Sequence, residues 1–300
     1  MSARKLLFKW MGSKRAVADR VGKYVGRQIE STDPKYVVFP FIGSGAIFWW
    51  LLQRGRLDGR IAVVNDMHLG VASVWQAIQY ESTCEAMIAA LREHFETERR
   101  IGREDCRLRL KRWWRDREME EALSPGHAPT TAAMFLYLQH TGFNGLWRVN
   151  SKGEMNVAPG TAEPLDNFDH LWRAHGLLRT HSCALQVTRH HFSATLADAA
   201  AVSRDRVVVY CDPPYVGAHV EYTDGWQEWR PNGTAHTLLE RLGRELWVKG
   251  VPCIISNSVE ARNLYRGWER RQVSGMRTGS RTSKARKMTP ELLMVGLKDA

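Results

Sequence analysis

Five consecutive β-prone residues, Val207-Val208-Val209-Tyr210-Cys211, run directly into Asp212-Pro213-Pro214-Tyr215. An uninterrupted apolar run of this length reads as a buried parallel strand, and the two prolines must end it because neither can donate a ladder hydrogen bond. The chain is thereby committed to delivering a carboxylate and an aromatic ring at the carboxyl end of a strand. In open α/β sheets that edge is where ligands bind.

The chemistry suggested by this corner is methylation of an exocyclic amine on a base taken out of its stack. An amino group conjugated to a purine ring is a poor nucleophile, because its lone pair is delocalised, and it needs acceptors that draw its hydrogens out of the ring plane. Asp212 and the carbonyl of Pro213, stiffened by Pro214, can accept one hydrogen each. Tyr215 is then placed to stack on the flipped base, an interaction of roughly 1–3 kcal/mol. Taken alone, the tetrapeptide also reads as a plain turn after a strand.

A second strand-to-loop passage comes early. Tyr36-Val37-Val38-Phe39 leads into Pro40-Phe41-Ile42-Gly43-Ser44-Gly45, a helical stretch over 46–53 and a stop at Gly55. Gly43 and Gly45 let the backbone approach a ligand at a helix amino terminus. The third glycine of the dinucleotide fingerprint is missing, with Phe48 in its place, so the pattern is weak by itself. The next apolar strand, Ile61-Ala62-Val63-Val64, ends at Asn65-Asp66, and an acid at that tip suits ribose hydroxyls. Together these describe an adenosine-binding half-sheet.

Three hundred residues, 44% of them hydrophobic, allow one large domain or a domain with a sizeable insertion. A formal net charge of +11 points to a polyanionic partner, although basic balance is nonspecific. The cysteines, Cys84, Cys106, Cys183, Cys211 and Cys253, are odd in number, scattered and never in a Cys-x-x-Cys pair, which fits a reducing cytoplasm and neither a disulfide framework nor a zinc site. The adjacent His190 and His191 suit no helical metal site. No apolar stretch is long enough to span a bilayer or serve as a secretory core.

Residues 91–123 alternate arginine and glutamate around Trp113-Trp114 and read as a solvated helical segment. A loop over 124–129 and a helix over 131–139 follow. Residues 142–160, with Asn-Gly and Lys-Gly turns between short alternating stretches, predict an irregular β-hairpin overhanging the ligand edge of the sheet. It carries arginine and asparagine, the side chains that read guanine and adenine edges. Residues 234–248 predict an amphipathic helix, 252–257 a buried strand with a polar tip, and 291–297 a terminal strand. The basic stretch over 277–287 reads equally as a solvated loop or as a phosphate clamp.

In their order along the chain, Phe8-Lys9-Trp10-Met11-Gly12-Ser13-Lys14, Pro40-Phe41-Ile42-Gly43-Ser44-Gly45, the asparagine-bearing hairpin, Asp212-Pro213-Pro214-Tyr215 and Ser256-Asn257-Ser258 resemble the Dam-like (class alpha, D12-type) adenine-specific DNA methyltransferases. The resemblance implies S-adenosyl-L-methionine as cofactor, held by Trp10, Lys14, Phe41, Gly43, Gly45, Asp66 and Asp212, with Asp66 on the ribose and Asp212 shared between cofactor and target amine. It further implies that the hairpin reads DNA. Arg148 takes the position of a guanine-contacting arginine, Phe143 that of an aromatic wedge and Asn144 a place near bases or the vacated space. Asn150 and Lys152 are expected on DNA, with Arg277, Lys284 and Arg286 on phosphates.

Three positions depart from the family pattern. Phe39 stands for a usual glutamate, Gln139-His140 for a common Asn-Arg pair, and Val216-Gly217-Ala218-His219-Val220 lacks the customary Ser and Thr positions, which Glu221-Tyr222-Thr223 partly restore.

The expected architecture is an α/β, Rossmann-like methyltransferase sheet with helices on both faces and an inserted helical and β-hairpin recognition domain. The expected division is a cofactor-binding part over 1–90, a target-recognition insertion over 91–200 and a catalytic part over 201–300. The expected activity is transfer of a methyl group to N6 of a flipped adenine in double-stranded DNA, without a metal, by a cytoplasmic, nucleoid-associated monomer or DNA-associated homodimer. Such an enzyme serves a restriction-modification pair or acts as an orphan methylase. Two rivals are a ribosomal RNA amino-methyltransferase, which shares the Pro-Pro-aromatic corner, and a DNA-binding regulator whose pocket has decayed.

Overall fold

Period-two burial along the interior strands sets the architecture. In the computed structural model, Val37 and Phe39 pack into one apolar cluster and the intervening Val38 into another, while Val208 and Tyr210 part in the same way from Val207, Val209 and Cys211. Alternate side chains of a strand point to opposite faces, so these strands are covered on both sides. The structure describes residues 7–118, 126–150, 152, 154–202, 206–217, 226–230, 233–276 and 288–297.

Within those residues the strands are β1 (Tyr36–Phe39), β2 (Ile61–Asn65), β3 (Ala184–Thr188), β4 (Val207–Cys211), β5 (Cys253–Ser258), β6 (Trp268–Met276) and β7 (Met288–Leu297). They form one sheet in the order β3-β2-β1-β4-β5-β7-β6. β1 to β5 run parallel, and β7 enters antiparallel between β5 and β6. This is the mostly parallel α/β sheet that the apolar runs predict.

The helices are α1 (Ala18–Thr32), α2 (Ala46–Leu52), α3 (Leu69–Ala77), α4 (Glu81–Ile101), α5 (Arg103–Glu118), α6 (Ala128–His140), α7 (Asp169–Thr180), α8 (Phe192–Ala201) and α9 (Ala235–Val248). α1 to α7 contribute to one core with one face of the sheet; α8 and α9 cover the other through Phe192, Leu196, Ala199, Leu239 and Leu246. α1 shows the logic on a small scale. Val21, Val25 and Ile29, spaced by four, form its buried stripe, and Asp33 ends it in the left-handed region at φ 45°, returning its N–H to Ile29 O.

Three stretches of the chain add detail to these expectations. The charged stretch over 91–123 is helical and exposes most of its charges as far as it is described, but it also has a buried side: Gly102 (φ +86°) separates α4 from α5, and Phe95, Glu98, Arg107, Leu110 and Trp114 are buried. A buried charge can be satisfied by protein partners as well as by water, Glu98 by Arg103 and Tyr137 and Arg107 by oxygens of Leu138, Thr141 and Val157, which alternation of sign does not reveal. The stretch over 142–160 is an irregular antiparallel hairpin: among the described residues isolated bridges join Gly142 to Pro159 and Val149 to Met155, without a continuous ladder. Its alternation is real, since Trp147, Val149, Met155 and Val157 are buried between exposed neighbours. Finally, β3 and α8, which fall within 91–200, belong to the sheet and its covering layer.

Candidate functional site

The sheet order places a switch point between β1 and β4. From β1 the chain builds outward through β2 to β3, whereas β4 and β5 lie on the other side, so the crevice at the carboxyl ends of β1 and β4 is the ligand position of an open α/β sheet. Asn65, at the end of β2, ties the edge together: its Nδ2 donates to Pro40 O (2.9 Å) and His190 O (3.0 Å). Its Oδ1 accepts from Thr188 Oγ1 and from His190 N, both at 2.9 Å.

Asp66 follows and does comparable work for the glycine loop. Its Oδ2 accepts from Gly43 N at 2.9 Å and its Oδ1 from His68 N at 3.0 Å. The two glycines are required by aromatic crowding as well as by backbone conformation. Gly43 (φ +48°) would bring a Cβ within 2.8 Å of Trp10 Cδ1, and Gly45 (φ +72°) would bring one within 2.3 Å of Trp75 Cζ2. The Trp75 indole donates to Gly43 O at 2.8 Å and fixes the turn from above. Phe41, from the same loop, turns elsewhere, with its ring 5.3 Å from Phe192 and 5.5 Å from Trp229.

Across the crevice, Asp212 stands one residue beyond β4. Lys14, at the start of a single 3-10 turn (Lys14–Ala16), brings Nζ to 2.6 Å from Asp212 Oδ1; the lysine side chain is 3% exposed and that of the aspartate 20%. The same ammonium donates to Gly12 O at 3.0 Å and lies 4.3 Å from the Tyr215 ring centroid. Burial raises the Asp212 carboxyl to about 6; Lys14 opposes the shift and Glu291 adds to it. Pro213, Pro214 and Tyr215 are buried, and the Tyr215 hydroxyl donates to Glu291 Oε2 at 2.9 Å. Asn257, at the tip of β5, accepts from Val216 N (3.0 Å) and Ser258 N (2.8 Å), fixing the chain as it leaves the corner. With its carboxyl at about 6, Asp212 is mostly ionised at neutral pH, and a carboxylate there can accept hydrogens from an amine and stabilise positive charge on it.

The amino-terminal segment connects this crevice to the loop over 142–160. Trp10 packs edge-on against Phe8 and His68, Lys9 Nζ donates to Asn144 O, and Gln139 Nε2 donates to Lys9 O. Trp147, buried against His68, Trp114 and Phe135, anchors the loop. Phe143 is 44% exposed, and Asn144, exposed, takes the left-handed region at φ 56°. Arg148 is exposed, with Nε donating to Asn156 Oδ1 at 3.0 Å. Asn150 closes the turn: its Oδ1 accepts from Lys152 N (2.9 Å) and Glu154 N (3.0 Å), and its Nδ2 donates to Glu154 Oε2 (3.0 Å).

The fold therefore gathers Trp10, Gly43, Gly45 and Asp66 on one wall and Lys14, Asp212 and Tyr215 on the other. Phe143, Asn144, Arg148 and Lys152 share an exposed loop. Arg277, Lys284 and Arg286, together with Glu221-Tyr222-Thr223, lie outside the described residues. Lys9, Asn257 and Glu291 join the site although the sequence singles none of them out; Lys9 and Asn257 sit inside the recognised motifs, whereas nothing local marks Glu291. Among the described residues no group of three or more His, Cys, Asp or Glu is placed to hold a metal ion.

Comparison with known proteins gives the family of this chain. The family described as D12 class N6 adenine-specific DNA methyltransferase matches residues 10–278. A DNA adenine methylase of Vibrio cholerae is 26% identical over 310 residues, covering 98% of this chain and 96% of that protein. A DNA adenine methylase of Escherichia coli K12 is 25% identical over 300 residues, covering 98% and 95%. The type II methyltransferase M1.LlaDCHI of Lactococcus lactis is 26% identical over 295 residues, covering 95% and 93%.

Proposed function

Because the chain belongs to the D12 class N6 adenine-specific DNA methyltransferases, we propose that its switch-point crevice binds S-adenosyl-L-methionine and a flipped adenine side by side, with Asp212 between them. The enzyme methylates adenine at N6 in DNA. S-adenosyl-L-methionine, when bound, supplies an electrophilic methyl carbon on a cationic sulfonium. The crevice suits such a group, because the carboxylates of Asp66, Asp212 and Glu291 all lie at this edge of the sheet and the glycine loop lines it. Trp10, Lys14, Gly43, Gly45 and Asp66 are its proposed holders, whereas Phe41, packed against Phe192 and Trp229, is not.

Asp212 and the Pro213 carbonyl accept the hydrogens of the target amine, which turns its lone pair toward the methyl group. Asp212 would take the proton that the amine gives up on accepting the methyl group and pass it to solvent. Proximity and orientation account for much of the rate, and the Asp212 carboxylate stabilises the positive charge developing on nitrogen. Tyr215, held by Glu291, packs against the base. Phe143, Asn144, Arg148 and Lys152 face the duplex, and the recognition region comprises α4 to α7 with the loop over 142–160. Among the described residues no helix is long and apolar enough to cross a membrane, in keeping with action on DNA in the cytoplasm.

The observation that carries this reading is the Lys14, Asp212 and Tyr215 cluster at the carboxyl end of β4. Duplex DNA and structured RNA are each incubated with the protein and S-adenosyl-L-methionine, digested to nucleosides and analysed by mass spectrometry. N6-methyldeoxyadenosine is expected from DNA, and none with Asp212→Ala. Methylation confined to RNA, or undiminished in Asp212→Ala, would overturn the reading.

A further inference from the structure

Beside its buried Cys106, Leu110 and Trp114, α5 carries a row of cations of which Arg107 is buried and Arg103 and Lys111 are half-buried. Arg103, Arg107 and Lys111 are four residues apart, hence about 6 Å apart along one side of the helix. All three donate to main-chain oxygens of the arm returning from the exposed loop: Arg103 Nη1 to Gly160 O at 2.7 Å, Arg107 Nη2 to Val157 O at 3.0 Å and Lys111 Nζ to Val157 O at 3.3 Å. Arg107 reaches the outgoing side as well. Its Nη1 donates to Leu138 O (2.7 Å) and Thr141 Oγ1 (2.6 Å), where α6 ends and the loop begins.

Arg107 is 2% exposed. The acceptors it meets here are two carbonyls and a hydroxyl, while Glu98 is engaged by Arg103 Nε at 2.7 Å and by the Tyr137 hydroxyl at 2.8 Å. A cation at the carboxyl end of α6 complements the helix dipole, and a planar guanidinium fixes several acceptors relative to one another as a lysine ammonium cannot. The loop needs such a brace. Among the described residues its arms pair at two isolated bridges, through Phe143 N to Ala158 O and Gly160 N to Thr141 O at one and Asn150 N to Glu154 O and Asn156 N to Arg148 O at the other, and no ladder joins the stretch between the bridges.

We propose that Arg107, supported by Arg103 and Lys111, is a positioning residue for base discrimination: it holds both arms of the loop over 142–160 at the spacing that presents Asn144 and Arg148 to base edges, without touching DNA. The proposal rests on the reading of this loop as the DNA-reading element. The target sequence of the full chain is first obtained by sequencing modified bases in DNA from cells expressing it. Methylation kcat/KM is then measured on that duplex and on duplexes changed at one base pair.

Arg107→Lys, which keeps the charge, lowers the ratio of target to changed duplex about tenfold, the scale of one bidentate base contact, while calorimetry shows the affinity for S-adenosyl-L-methionine unchanged. Arg107→Met lowers the ratio at least as far. Arg103→Gln breaks one outer tether and shifts the ratio in the same direction to a smaller extent; it decides the matter if the Arg107 variants fail to fold. An unchanged ratio in Arg107→Lys, or in Arg103→Gln under that condition, overturns the proposal. Arg148→Ala is measured alongside: an unchanged ratio there rejects the loop as the reader, whereas a relaxed ratio there with an unchanged one in Arg107→Lys rejects only the role of Arg107.

Discussion

The Lys14 ammonium lies 2.6 Å from the carboxylate of Asp212, so the acceptor assigned to the target amine already has a cationic partner in the free protein. Burial and Glu291 push the Asp212 carboxyl up, and Lys14 pulls it down, leaving it at about 6. The ionised form is the one that can accept from the amine.

Activity in the free enzyme should therefore be lost as pH falls through about 6, with kcat/KM rising to a plateau above that value. Replacing Lys14 with methionine removes the influence that lowers the Asp212 pKa, so the residual activity of Lys14→Met should show its rising limb at higher pH. The measurement is a kcat/KM profile against pH for both proteins. A limb that stays in place in the variant would separate Lys14 from the ionisation that controls the reaction.

Asp66 holds two backbone N–H groups, which makes its replacement more than the loss of a ligand contact. Asp66→Ala should weaken S-adenosyl-L-methionine binding by about 1.5–3 kcal/mol, the range for a hydrogen bond to a charged group. It should also lower the melting temperature, because Gly43 and His68 lose their acceptor. Calorimetry and thermal unfolding read the two effects separately, and unchanged affinity with a lowered melting temperature would make Asp66 structural only.

Gly45→Ala tests the crowding around the glycine loop. The added Cβ would meet Trp75 at 2.3 Å and impose a left-handed conformation on an alanine at φ +72°. The conformational penalty is about 1–2 kcal/mol and overpacking adds about 1–3 kcal/mol. Denaturant unfolding should show a loss of at least ~2 kcal/mol; a variant as stable as the parent would mean that Trp75 moves aside freely.

Arg148→Ala should cost about 1–3 kcal/mol in binding to the target duplex and relax the preference at one base pair. Neutralising Lys284 or Arg286 should instead weaken target and scrambled duplexes alike and make the salt dependence shallower by about one per lost phosphate contact. Binding across a salt series distinguishes the two behaviours. Equal weakening on both duplexes by Arg148→Ala would assign that arginine to phosphate or to structure.

The interior of the sheet was legible because burial on both faces leaves a plain apolar signature, as in Val207–Cys211, and because Pro213, Pro214, Gly43 and Gly45 punctuate it. The edge strands were not. β3 shows no fully buried residue, and β6 carries Glu269, Arg270, Arg271 and Gln272, so neither has the run of apolar residues that marks β4. Arg107 was illegible for a related reason: apart from the Thr141 hydroxyl its partners are main-chain oxygens, which every sequence possesses and none displays. Asp212 could be assigned from its tetrapeptide, whereas Glu291, which holds Tyr215 from β7, is brought there by chain topology alone.

The position of β4 also imposes a timetable on synthesis. A ribosome finishes β1, β2, β3 and the helices between them before it makes the strand that lies on the other side of β1. Through that interval β1 has a bare edge, of the kind that pairs with stray strands from other chains. Closure of such a distant pairing is slow, and the waiting chain exposes apolar surface meanwhile. A chain stalled before residue 207 thus emerges with its glycine loop and Asp66 already made but without Asp212, unable to methylate and dependent on protection from its neighbours until translation resumes.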